Sequence, residues 1–165
     1  MSHNQNDFNF HAQIHADRMQ DMRRRIDRML QNEAGDLSHA QLMPSLFSLA
    51  KRTFDAAADN VVDSMPSDAV ERGYIQRMKV NIANWPVITP PKTNTVEESS
   101  QHWKRLMEDT RAAINDGARD KDFTAQALSS YIVLDLLRRA VMEDRFVRNH
   151  KGSRAARDVQ HAPTP

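Results

Sequence analysis

The chain has 165 residues, with 23 lysines and arginines set against 22 aspartates and glutamates. That length suits one domain with a substantial buried core. The absence of cysteine excludes disulfides, thiolate metal centres and a cysteine nucleophile, while four glycines and 6% aromatic residues leave little material for a sandwich or barrel.

Residues 1–6 are polar and read as a flexible N-terminus without the apolar core of a cleaved signal peptide. A first helix is expected from about Asp7 to Glu33, ended by Gly35. Phe8, Ala12, Met19, Met22, Ile26 and Met29 recur at alternating four and three steps, with His15 in the slot between Ala12 and Met19. Ser38-His39-Ala40-Gln41 has capping-box spacing, although Pro44 disturbs a helix that starts there and fits better in a first turn. Phe47, Ala50, Phe54, Ala57 and Val61 form the stripe of this second helix, which closes near Met65-Pro66. A third helix from Ser67 is expected to bury Val70, Tyr74, Met78 and Ile82.

Asn84-Trp85-Pro86-Val87-Ile88-Thr89-Pro90-Pro91-Lys92 interrupts the helical pattern. Its prolines remove backbone donors and push Trp85 and Thr89 towards extended conformations. Beyond it, Thr95-Val96-Glu97-Glu98 is a second capping box with two acids in the first turn. The fourth helix should bury Trp103, Leu106 or Met107, Thr110 and Ile114, and stop at Asn115-Asp116-Gly117. Thr124 then caps a fifth helix, apolar over most of its circumference between Leu128 and Leu137, as a central helix would be. Residues 148–165 carry almost no apolar side chain and read as a disordered basic tail. The expected fold is all-α: a single bundle of four or five helices over residues 7–147, with an extended Trp/Pro-rich connector.

Few residues carry recognisable chemistry. His11 and His15 have the spacing of a zinc-protease helix, but Ala12 stands where the general base belongs and no third ligand is in sight, so no metal is assigned. Asp135, between Val133-Leu134 and Leu136-Leu137, reads as the partner of Arg138 or Arg139. A glycine-rich phosphate loop, a nucleophile elbow and paired acidic metal motifs are all missing, which argues against an enzyme and assigns no cofactor.

Two binding readings follow. Trp85, Val87 and Ile88 form an apolar cluster stiffened by prolines, suited either to docking another protein or to plugging the bundle. Met19 and Met22 on the first helix offer an adaptable surface for a partner or for a second copy in a homodimer. Arg23, Arg24, Arg25 and Arg28 are diluted by neighbouring aspartates and read as a solvated face. Arg145, Arg148, Lys151, Arg154 and Arg157, spaced three apart, form the alternative: an electrostatic arm for nucleic acid. The expectation is a small regulatory, adaptor or chaperone-like protein acting through helical surfaces, with a nucleic-acid accessory as runner-up. No apolar run approaches the roughly 20 residues of a membrane span, so no membrane partner is expected. The cytoplasm is the expected compartment, export without a cleaved signal being the alternative.

Overall fold

The computed structural model describes residues 2–86, 95–120 and 122–160, with side chains described over 7–86, 95–120 and 122–151. These residues form five helices and no strand: α1 (Ser2–Met29), α2 (His39–Ser64), α3 (Val70–Ala83), α4 (Val96–Gly117) and α5 (Phe123–Gln160). The all-α class follows directly. No helix among the described residues is long and apolar enough to cross a membrane.

The helix pairings close a ring in which α1 packs on α2, α2 on α5, α5 on α4 and α4 on α1, while α3 lies against α2 and α5. Side-chain pairs give the directions. Arg25 donates to the Ser45 hydroxyl, His39 meets Asp144 while Phe54 meets Tyr131, and His102 meets Glu143. Each ring neighbour therefore runs antiparallel to the next, so α2 and α4 point the same way. The chain must travel back between them, and α3 carries part of that return. Lys79 bonding Asp59 and Arg72 bonding the Met65 carbonyl show it running antiparallel to α2.

The core is filled by Met19, Met22, Ile26 and Met29 from α1, Leu46, Phe54 and Val61 from α2, Trp103, Met107 and Ile114 from α4, and Val133, Leu134 and Leu137 from α5. The stripes read from the sequence in α1, α2 and α4 are thus mostly the buried ones, with Phe8, Ala12 and Phe47 only half-buried. In α4 both Leu106 and Met107 are buried, and the Thr95 hydroxyl caps the helix by accepting the Glu98 N–H at 3.1 Å.

Several boundaries differ from expectation. Helix α1 is already formed at Ser2 and ends at Met29, four residues before Glu33. Ser38 stands at the N-cap of α2 but its side chain does not cap it: Oδ1 of Asp36 accepts both the backbone N–H and the hydroxyl of Ser38, which holds the Asp36 carboxyl below its ordinary value. An aspartate two residues upstream outcompetes the hydroxyl because a carboxylate is the stronger acceptor. Pro44 sits inside α2 rather than in its first turn, on the exposed side of the helix. In α3 the buried residue is Ile75, with Met78 and Ile82 partly covered. Val70 and Tyr74 are 68% and 55% exposed, because the helix turns the line through Ile75, Met78 and Ile82 inward. Asp122, not Thr124, caps α5 by accepting the Ala125 N–H at 2.7 Å. Helix α5 is apolar beyond its buried stripe, leaving Ile132 52% exposed. It continues to Gln160, where the sequence alone suggests disorder from the late 140s onward.

Candidate functional site

Three polar or amphipathic clusters stand out from the ordinary packing. The first begins with the turn from α3 toward the connector. Trp85 folds back onto α5, its ring 5.5 Å from that of Tyr131, with the Arg138 guanidinium 4.3 Å above it. Asp135 holds that arginine at 2.7 Å and also reaches Arg139 at 3.4 Å, the ion pairs expected of it. Beside Trp85 a groove of about 360 Å³ opens between α2, α3 and α5, floored by Phe47, Ile82, Trp85 and Met142, with Lys51, Arg138 and Arg145 around it. Among the described residues neither Lys51 nor Arg145 makes an ion pair, and both are exposed. The result is an apolar trough with a positive rim.

The second cluster is buried. His39 and Asp144 have side chains 0% and 1% exposed, and the imidazole donates from Nδ1 to Oδ1 at 2.8 Å. The same oxygen accepts the Gly35 N–H at 2.8 Å, and Arg148 donates to Oδ2. His39 stacks on Trp103, 5.1 Å between centroids. Lys151 donates to the Ala34 carbonyl at 2.8 Å. Two turns of α5, from Asp144 to Lys151, thereby grip the α1–α2 loop. Gly35 can sit there because its φ is +79° and because a Cβ would lie 2.6 Å from Val147 Cγ1. Nearby, His102 pairs with Glu143 at 2.8 Å.

The third cluster surrounds His15 between α1, α2 and the start of α5. Burial lowers its pKa to about 4, with Arg18 adding to the effect and a bond to the Gly117 carbonyl opposing it. Asp120 stands 3.9 Å from Nε2, takes the Ser129 hydroxyl at 2.7 Å, and has its pKa raised by burial.

The residues singled out in the sequence fall in different places. Trp85 lies in the groove, whereas Val87 and Ile88 lie outside the described residues. Met19 and Met22 are fully buried, so they face the core and offer no surface to a partner or a second copy. The basic row is divided by the fold. Arg148 and Lys151 are spent on Asp144 and on the Ala34 carbonyl, Arg145 alone faces the groove, and the side chains of Arg154 and Arg157 lie outside the described residues. His11 and His15 gain no third ligand, and no group of three metal-ligating side chains occurs among the described residues.

His39 and Asp144 escaped the sequence reading because 105 residues separate them, and no spacing rule reaches that far. The available signal was Asp144 itself, an acid in core register between Ala140 and Val147, both fully buried. No family model, curated protein or solved structure matches this chain.

Proposed function

We propose that this is a small non-enzymatic adaptor or regulatory protein that docks a protein partner in the Trp85 groove. The observation behind this reading is the groove's composition: a floor of Phe47, Ile82, Trp85 and Met142 beside Lys51 and Arg145, two exposed cations that make no ion pair among the described residues. Interface anchors are enriched in tryptophan and arginine set in desolvated pockets. A positive rim selects an acidic partner and speeds encounter. The matching ligand is an acidic segment carrying one or two large apolar side chains. The nucleic-acid reading has less support, since two cations of its basic row are engaged within the fold.

Anisotropy titrations with labelled acidic amphipathic peptides test the docking reading. Trp85→Ala should weaken binding by about tenfold or more, and Arg145→Glu should weaken it with a loss of salt dependence. If no acidic peptide binds, while mixed-sequence DNA or RNA binds with a steep negative slope in log salt, the accessory reading replaces this one.

A further inference from the structure

The α1–α2 loop presents an apolar side chain that the fold does not use. Leu37 is 84% exposed, the most exposed large apolar residue among those described. The loop that carries it is fixed in place. Asp144 holds the Gly35 N–H, Asp36 holds the N–H and hydroxyl of Ser38, and Lys151 holds the Ala34 carbonyl. A side chain on so well-ordered a backbone gives up little conformational freedom on docking. Its neighbours are acidic: Asp36 precedes it, and the exposed Glu33 stands 3.8 Å from Lys151.

Leu37 with these acids has the composition that suits the Trp85 groove, an apolar floor with Lys51, Arg138 and Arg145 around it. The groove of its own chain is out of reach. Phe47 and Lys51 stand about three to four turns further along, about 15–20 Å away, and the loop is pinned. The surface between loop and groove favours a second copy. From Leu37 to Ala50 there is no Asp, Glu, Lys or Arg, in a chain that is 27% charged. The residues exposed there include Ala40, Pro44 and Ser48, which recur every fourth position along α2. Small uncharged side chains let a second helix approach without burying a charge. Pro44 also stands midway between Leu37 and Lys51 in the sequence. Two α2 helices laid antiparallel about a two-fold axis near Pro44 therefore bring the loop of each copy to the groove of the other, a reciprocal contact that closes at two copies.

We propose, resting on the reading of that groove as a protein-docking surface, that its occupant is the α1–α2 loop of a second copy of this chain. Leu37 sits on the apolar floor, and Asp36 and Glu33 face Lys51 and Arg145. The chain fills its own two grooves in this dimer, so any other acidic ligand must compete with Leu37.

Analytical ultracentrifugation of the full chain from about 1 to 500 µM tests the proposal. A reversible dimer is expected, weak in keeping with a small interface and weaker as salt rises. Leu37→Ala and Arg145→Glu should each weaken it about tenfold or more, with the melting temperature of the dilute protein unchanged because both residues are exposed. In an equimolar mixture the two variants should pair more tightly than either does alone, since one intact loop then meets one intact groove. A chain that stays monomeric at about 500 µM overturns the proposal. A dimer indifferent to both variants, or a mixture no tighter than its components, overturns it as well. If the monomeric chain still binds labelled acidic peptides, the groove belongs to another protein, and only the self-association falls.

Discussion

Replacing Asp144 with alanine should be among the most damaging single changes available in this protein. The carboxylate is fully buried and accepts from three donors at once: the Gly35 N–H, His39 Nδ1 and the Arg148 guanidinium. Alanine leaves the first two buried without partners and the third without its ion pair. Breaking a buried pair by removing one member costs about 3–5 kcal/mol. Arg148, with a side chain 20% exposed, can recover some hydration, which places the expectation at about 3–4 kcal/mol. In a domain of this size each kcal/mol moves Tm by about 2–4 °C, so the loss should be about 6–16 °C. Urea denaturation and calorimetry measure it directly. The companion variants are His39→Ala and the double variant. If the pair acts as described, the double variant loses clearly less than the sum of the singles, by about 1 kcal/mol or more. A cost below about 1 kcal/mol for Asp144→Ala, or strict additivity with His39→Ala, would refute the idea that this carboxylate organises the end of the bundle.

Other consequences are testable with the same equipment. Gly35→Ala forces a side chain into the left-handed region and against Val147, and should destabilise by about 1–3 kcal/mol by thermal melting. Gly117→Ala places a Cβ 2.8 Å from that of Ser129, so α4 and α5 must part; a loss of about 1–3 kcal/mol is expected, and an unchanged Tm would contradict that close approach. Stability should also fall in mild acid through His15. Above pH 6.5 both folded and unfolded states hold it neutral. Between 6.5 and about 4 the unfolded chain takes up a proton that the buried ring refuses, an effect of up to about 3 kcal/mol at pH 4. Asp120 acts in the opposite sense, since burial raises its pKa and acid relieves it. The contribution of His15 is therefore read as the difference in slope between the parent and His15→Gln, which should be flatter over that range. Arg148→Ala should cost about 1–2 kcal/mol in urea denaturation, because Asp144 keeps its other two donors.

What the sequence discloses here is what depends on local periodicity. The stripes Met19-Met22-Ile26-Met29, Ala50-Phe54-Ala57-Val61 and Trp103-Met107-Thr110-Ile114 could be read directly, because each long helix has one wet and one dry face. The same reasoning misplaced Val70 and Tyr74 in α3: a short helix of 14 residues offers two overlapping stripes, and only the tertiary neighbours choose between them. Capping was right at Thr95, where no acid lies just upstream. It was wrong at Ser38 and Thr124, where Asp36 and Asp122 intercept the backbone first. The methionines of α1 were correctly seen as a seam, but a seam does not announce whether its partner is another helix of the same chain. The pairing of His39 with Asp144 joins chain segments 105 residues apart and exists only once the ring of helices has closed.

That ring has a bearing on how the protein is made. Helix α5 follows the other four in the chain, yet it touches α4, α2 and α3 and supplies the carboxylate that fastens the α1–α2 loop. A nascent chain that has reached only α4 therefore lacks the helix that makes the most extensive packing with α2 and α4, and folding must wait for α5. Fragments ending before Phe123 should accordingly be sticky and prone to chaperone capture, and premature termination in this stretch should yield degradation rather than a smaller functional protein.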